Sequence, residues 1–194
     1  MSLSDIFCLK KGDVLRSISK TVFFLIFILT KIMGQNFEET NSIIYTDFGI
    51  GNSLYDDIKS EQLIIFLEIP KLSSQFSGID IDYKINLEYI NSNANGTFLA
   101  GVVPFAKYSL FINQLSIFFQ GGIGFNYINN HNIGSRNLGG HFIFSDMIGM
   151  GVDLFVITGH QVSLGYIFRH ISNAGLYKDN EGYNSQYLVI GMSI

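Results

Sequence analysis

Between Ile79 and Tyr89 every odd position is apolar, and every even position (Asp80, Asp82, Lys84, Asn86, Glu88) is charged or an amide. A helix would scatter such a pattern around its whole circumference, because helical faces repeat every 3.6 residues. A strand places all the apolar groups on one side and all the polar groups on the other. The run is about as long as the 9–11 residues a tilted strand needs to cross a bilayer. Gln114 to Tyr127 repeats the pattern. Leu115, Ile117, Phe119, Ile123, Phe125 and Tyr127 share one face, opposite Ser116, Gln120, Gly122, Gly124 and Asn126, with Phe118 as the exception. A half-buried strand of a soluble sandwich would alternate similarly. Two strands of this length, with charge on one face and aromatics on the other, fit a membrane barrel better.

Six further strands are expected at Ser42–Gly51, Glu61–Ile69, Thr97–Tyr108, His141–Phe155, His160–Ser172 and Ser185–Ile194. The total of eight closes into a small all-β, antiparallel transmembrane barrel whose interior is filled by side chains. That filling argues against a solute channel. With 20 glycines, 2 prolines, 18 phenylalanines and 10 tyrosines, the composition suits strands more than helices. There is no tryptophan, so tyrosine and phenylalanine must form the interfacial girdles. Asn52–Ser60, Asn91–Gly96, Asn129–Gly140 and Asn173–Asn184 are rich in turn formers and read as long loops at one end. Val156–Gly159 reads as a tight turn at the other. Pro104 cannot donate to a ladder, so a bulge or strand end is expected there.

The N-terminal segment reads as a secretory leader. Lys10, Lys11, Arg16 and Lys20 precede the apolar run Val22–Leu29, and Gly34 stands before a polar start. The expected domains are a signal peptide over residues 1–34 and one barrel over residues 35–194. The single cysteine, Cys8, precedes the apolar run, which leaves the barrel without disulfides or thiolate ligands. Neither a metal-spaced cluster nor a basic stripe is present, so no metal, no cofactor and no nucleic acid are expected.

Chemistry concentrates on the seventh strand. Val162, Leu164, Tyr166 and Phe168 alternate along it, and His170 and Ser172 continue the same parity. A potential base and a potential nucleophile therefore sit side by side on an apolar surface. With both termini on the inner side, this strand ends at the cell surface. The pair then faces lipid near the headgroups of the outer leaflet.

The stretch His170-Ile171-Ser172-Asn173-Ala174-Gly175, followed by Asn180-Glu181-Gly182-Tyr183-Asn184 and Leu188-Val189-Ile190-Gly191, resembles the lipid A 3-O-deacylase (PagL-type) family. The resemblance implies an outer-membrane serine esterase acting on lipid A, or lipopolysaccharide, in the outer leaflet. It implies Ser172 as nucleophile and His170 as general base, with Asn173, Ala174, Asn180 and Gly182 shaping the loop and the oxyanion site. The family's glutamate lies twelve positions after the serine, where this chain has Asn184. An amide oxygen can fix the histidine tautomer but cannot offset imidazolium charge.

Two acids are candidates for that charge. Glu181 has the wrong strand parity. Asp146 interrupts the apolar face of the sixth strand and should lie across from His170, unless a bulge turns it inward. His131, His141 and His160 read as loop or turn residues. The competing function is a non-catalytic surface barrel that uses its loops for contact; a hydrogen-bonded His170–Ser172 pair on the outer wall would favour the enzyme. A lipid-binding soluble barrel would instead turn the apolar faces inward.

Overall fold

The computed structural model describes residues 45–70, 72–92, 95–155 and 160–193. The expected leader, the first residues of the first strand and the turn at 156–159 lie outside the described residues. Eleven strands follow in chain order: β1 (Tyr45–Ser53), β2 (Ser60–Glu68), β3 (Ser74–Phe76), β4 (Ile79–Ser92), β5 (Asn95–Ile112), β6 (Leu115–Ile128), β7 (Asn132–Ile133), β8 (Arg136–Asn137), β9 (Phe142–Phe155), β10 (Gln161–Ser172) and β11 (Tyr183–Ser193). Eight of them form one antiparallel sheet in the order β2-β1-β11-β10-β9-β6-β5-β4, and pairing of β2 with β4 closes it into a barrel. β3 extends the free end of β4, and β7 with β8 makes a small hairpin inside the loop after β6.

The alternation in the sequence becomes inside and outside. On β4, Asn86 and Glu88 are buried, whereas Ile85 and Tyr89 are exposed. On β6, Phe119, Ile123, Phe125 and Tyr127 face out and Ser116 and Asn126 face in. Phe118 faces in as well, with the Lys107 ammonium 4.3 Å above its ring centre. The outer wall is apolar: Ile123, Ile148 and Ile190 are each more than half exposed. The apolar faces point outward, which is the reverse of what a soluble lipid-binding barrel requires.

The interior is layered. Under the long loops, Ile58, Ile90, Leu99, Ile128, Ile133, Leu138, Ile143, Ile171 and Tyr183 pack into an apolar plug. Below it Arg169 pairs with Glu88, both fully buried. The Tyr187 hydroxyl shares its one proton between Glu88 (2.5 Å) and the Gln62 carbonyl, and the Gln62 amide donates to Tyr183 at 2.5 Å. Further down, Lys84–Asp47 (2.6 Å) and Lys107–Asp153 (2.7 Å) cross the lumen beside a cavity of about 490 Å³. Tyr45, Glu68 and Gln161, at strand ends remote from the plug, also line this cavity.

Three expectations are corrected. Pro104 makes neither a bulge nor a strand end. It lies within β5 opposite Tyr83, and pairing with β6 lapses at residues 103 and 104 but resumes at Phe105↔Gly122 in the register of Val102↔Phe125. The missing N–H interrupts the ladder without inserting a residue. Residues 91–96 are not a long loop: Asn91↔Gly96 and Ser92↔Asn95 are ladder pairs, so only residues 93 and 94 connect the strands. The opposite end is not uniformly short either, since the link from β2 to β4 contains β3.

Candidate active site

β10 carries its two faces to different environments. Ile167, Arg169 and Ile171 are buried in the lumen, while Val162, Leu164 and Tyr166 are exposed on the wall. His170 and Ser172 continue the outward set and are half-buried. In the ladder His170 lies between Asn184 of β11 and Asp146 of β9, and Ser172 lies opposite Phe144. β9 has no bulge at this level, so Asp146 stays outward and exposed.

The imidazole is fixed from two sides. Its Nδ1 lies 2.6 Å from Asn184 Oδ1. With the amide oxygen accepting, Nδ1 carries the proton and Nε2 is left with a free lone pair, the form a general base needs. On the other side the loop after β10 returns at Gly182, whose φ is +65°. A Cβ there would stand 2.8 Å from His170 Cε1, so only glycine lets the loop close over the ring.

No hydrogen bond joins His170 to Ser172 in this structure, and the Ser172 hydroxyl has no side-chain partner among the described residues. Two residues of strand separate them by about 6.6 Å at the backbone. The imidazole edge must lean along the strand to close that gap, and catalytic hydrogen bonds are often long before substrate binds.

The loop residues divide their work differently from the expectation. Asn173 is fully buried. Its amide donates to Leu138 O (2.8 Å) and Asp179 O (2.6 Å), and its Oδ1 accepts from Gly175 N–H (2.8 Å). Its own N–H donates to Asn180 Oδ1 (2.9 Å). Every polar atom that could reach an oxyanion from the Asn173 side chain is thus engaged in holding the loop. Ala174, at φ +50°, is exposed, and its N–H has no acceptor among the described residues. Glu181 accepts from Asn137 N–H, and its own N–H donates to Asn137 O at 3.1 Å, so this acid ties two loops together and does not face His170.

The loop between β6 and β9 supports the site through Leu138, Asn137 and Gly139, none of which the motif indicates. Gly139 has φ +76°, and a Cβ there would strike Asp179 O at 2.0 Å. The pair Gly139-Gly140 is the one sequence signal that could have shown two loops packing closely. Beside Ser172 on the outer wall, the Phe125 ring packs against Phe142 (ring centres 5.7 Å apart) and Phe144 (5.6 Å). Of the other histidines, His141 contacts Ile128 O (2.8 Å) and His160 contacts Ser193 O (3.2 Å). Among the described residues no His, Cys, Asp and Glu side chains gather in the threes that hold a metal ion.

A family model described as lipid A 3-O-deacylase (PagL) matches residues 66–193. The crystal structure of the outer membrane enzyme PagL is similar in fold, with a TM-score of 0.63 and 21% identity over 76% of this chain and 97% of that one. Neisserial surface protein A is also similar, with a TM-score of 0.51 and 11% identity over 80% of this chain and 97% of that one. At these identities the two structures speak to the fold alone. No curated protein matches the chain.

Proposed function

The chain belongs to the lipid A 3-O-deacylase (PagL) family, and from that premise we propose that it is an outer-membrane serine esterase that removes an ester-linked acyl chain from lipid A. The observation that carries this reading is the His170–Asn184 hydrogen bond on the apolar outer wall, one outward position from Ser172. It sets the imidazole in the proton-accepting form next to a hydroxyl, on the surface a lipid substrate would slide along.

In this mechanism His170 Nε2 takes the Ser172 proton, and the oxygen attacks the acyl carbonyl. The N–H of Ala174 is the donor assigned to the resulting oxyanion. As the intermediate collapses, the ester C–O bond breaks, and the sugar hydroxyl leaves with the proton from the imidazolium. Water, activated by the same nitrogen, then cleaves the acyl-serine and releases the fatty acid. Asn184 keeps Nδ1 protonated through both halves. Only protein groups and water take part. The substrate is lipid A or lipopolysaccharide, reached from the outer leaflet at the loop end, and residues 1–34 are the export leader removed from a mature chain of residues 35–194.

A second reading, a non-catalytic surface barrel, is favoured by the open Ser172–His170 gap and by an amide at the third position. Mass spectrometry of lipid A after co-expression separates the two. The wild type should lower the lipid A mass by one acyl chain, and Ser172→Ala and His170→Ala should each leave it intact. Both variants should keep the heat-modifiable gel migration of a folded barrel. Identical spectra with wild type and Ser172→Ala would eliminate the esterase.

A further inference from the structure

His170 has a second neighbour across the sheet. Asp146 on β9 is its direct ladder partner, as Asn184 is on β11. Directly opposed residues on one face of an antiparallel pair place their Cβ atoms about 4.5–5.5 Å apart. Asp146 is exposed, and its carboxylate has no hydrogen bond or ion pair among the described residues. Its four nearest neighbours on that face are Phe144 and Ile148 along β9, Ile123 across on β6, and His170 across on β10. Three are apolar, and the fourth is the base. A lone carboxylate on an apolar wall is unfavourable. The one counter-charge within reach forms only when His170 has taken a proton.

We propose that the third role of the catalytic triad is divided between two residues, with Asn184 fixing the histidine tautomer and Asp146 supplying the negative charge that an amide cannot. The proposal rests on the serine-esterase reading. Asp146 acts through His170 and is a positioning residue. The other charged groups near the ring do not compete for this role: Glu181 and Asp179 are both bonded to Asn137, and Asn184 and Gln186 on β11 are neutral. Because the ring gains its charge as it takes the Ser172 proton, the charge of Asp146 is worth more in the transition state than in the resting enzyme. Low dielectric on the lipid side strengthens it.

The test is a cycle of Asp146→Asn, Asn184→Glu and the double variant, assayed on lipid A in mixed micelles. Asp146→Asn should lower kcat about three- to tenfold with little change in KM, the size of a close cross-strand charge pair. Asn184→Glu should restore kcat in the Asp146→Asn background, and should raise it less when Asp146 is present. A loss that Asn184→Glu does not restore, or no loss at all, overturns the proposal. A second measurement does not depend on turnover. In histidine-labelled Ser172→Ala protein, ¹⁵N shifts of the His170 ring should show a larger imidazolium fraction at pH 6 with Asp146 in place than after Asp146→Asn is added. Equal fractions overturn the proposal. If the wild type leaves lipid A intact, the esterase reading falls, and this comparison still decides whether the carboxylate acts on the ring.

Discussion

Gly182 makes two demands that only one residue type meets. Its φ of +65° is costly for any side chain, and the space a Cβ would take is filled by His170 Cε1. Gly182→Ala must therefore move either the loop or the ring, and the ring is held at 2.6 Å by Asn184. Small misplacements of a catalytic group cost up to about a hundredfold in rate. Lipid A deacylation by Gly182→Ala should fall between about ten- and a hundredfold. Gly175→Ala is the control: φ there is +83° but nothing lies within 4 Å, so strain is added without touching the histidine, and the rate should stay near wild type. The positions of His170, Ser172 and Asn184 on one outward face were legible, because parity along each strand fixes them. The engagement of Asn173 within its loop was not, because its partners Leu138 and Asp179 come from folding that no local spacing encodes.

At the scale of the strand, the face of β10 behind the candidate site has its own chemistry. Arg169 stands between the outward Phe168 and His170 and reaches across the lumen to Glu88 on β4. Removing one partner of a buried pair leaves a charge without compensation, which costs about 3–5 kcal/mol, whereas replacing both with apolar residues costs far less. Arg169→Met should therefore destabilise the barrel by about that amount in urea unfolding from detergent. Arg169→Met with Glu88→Leu should recover most of the loss, and equal destabilisation in single and double variants would refute this account. The eight barrel strands could be read from the sequence because an apolar outer wall forces period-two alternation. Ile90–Ser92 and Asn95–Gly96 escaped that reading for the same reason. Where a hairpin rises beyond the apolar band, nothing requires alternating apolar residues, yet the backbone ladder continues.

For the whole molecule, the outer wall is the feature on which membrane residence depends. Ile148, at the middle of β9 and 66% exposed, lies on the apolar outer wall, where a charge is costly in a bilayer. Ile148→Arg should cost about 2–4 kcal/mol of folding stability in lipid vesicles, and much less in a detergent micelle that can rearrange around it. A cost equal in both media would argue against a bilayer around this belt. The plug formed by Ile58, Leu99, Ile128, Leu138 and Ile171 has a different consequence. Among the described residues it closes the lumen at the loop end. For an esterase with its reacting groups on the outside of such a wall, no traffic can pass through the middle. Fresh substrate must arrive sideways within the leaflet, and the freed fatty acid and shortened lipid must leave the same way. Turnover by such an esterase would be coupled to the crowding and fluidity of the surrounding lipid, in a two-dimensional medium that its own products progressively dilute.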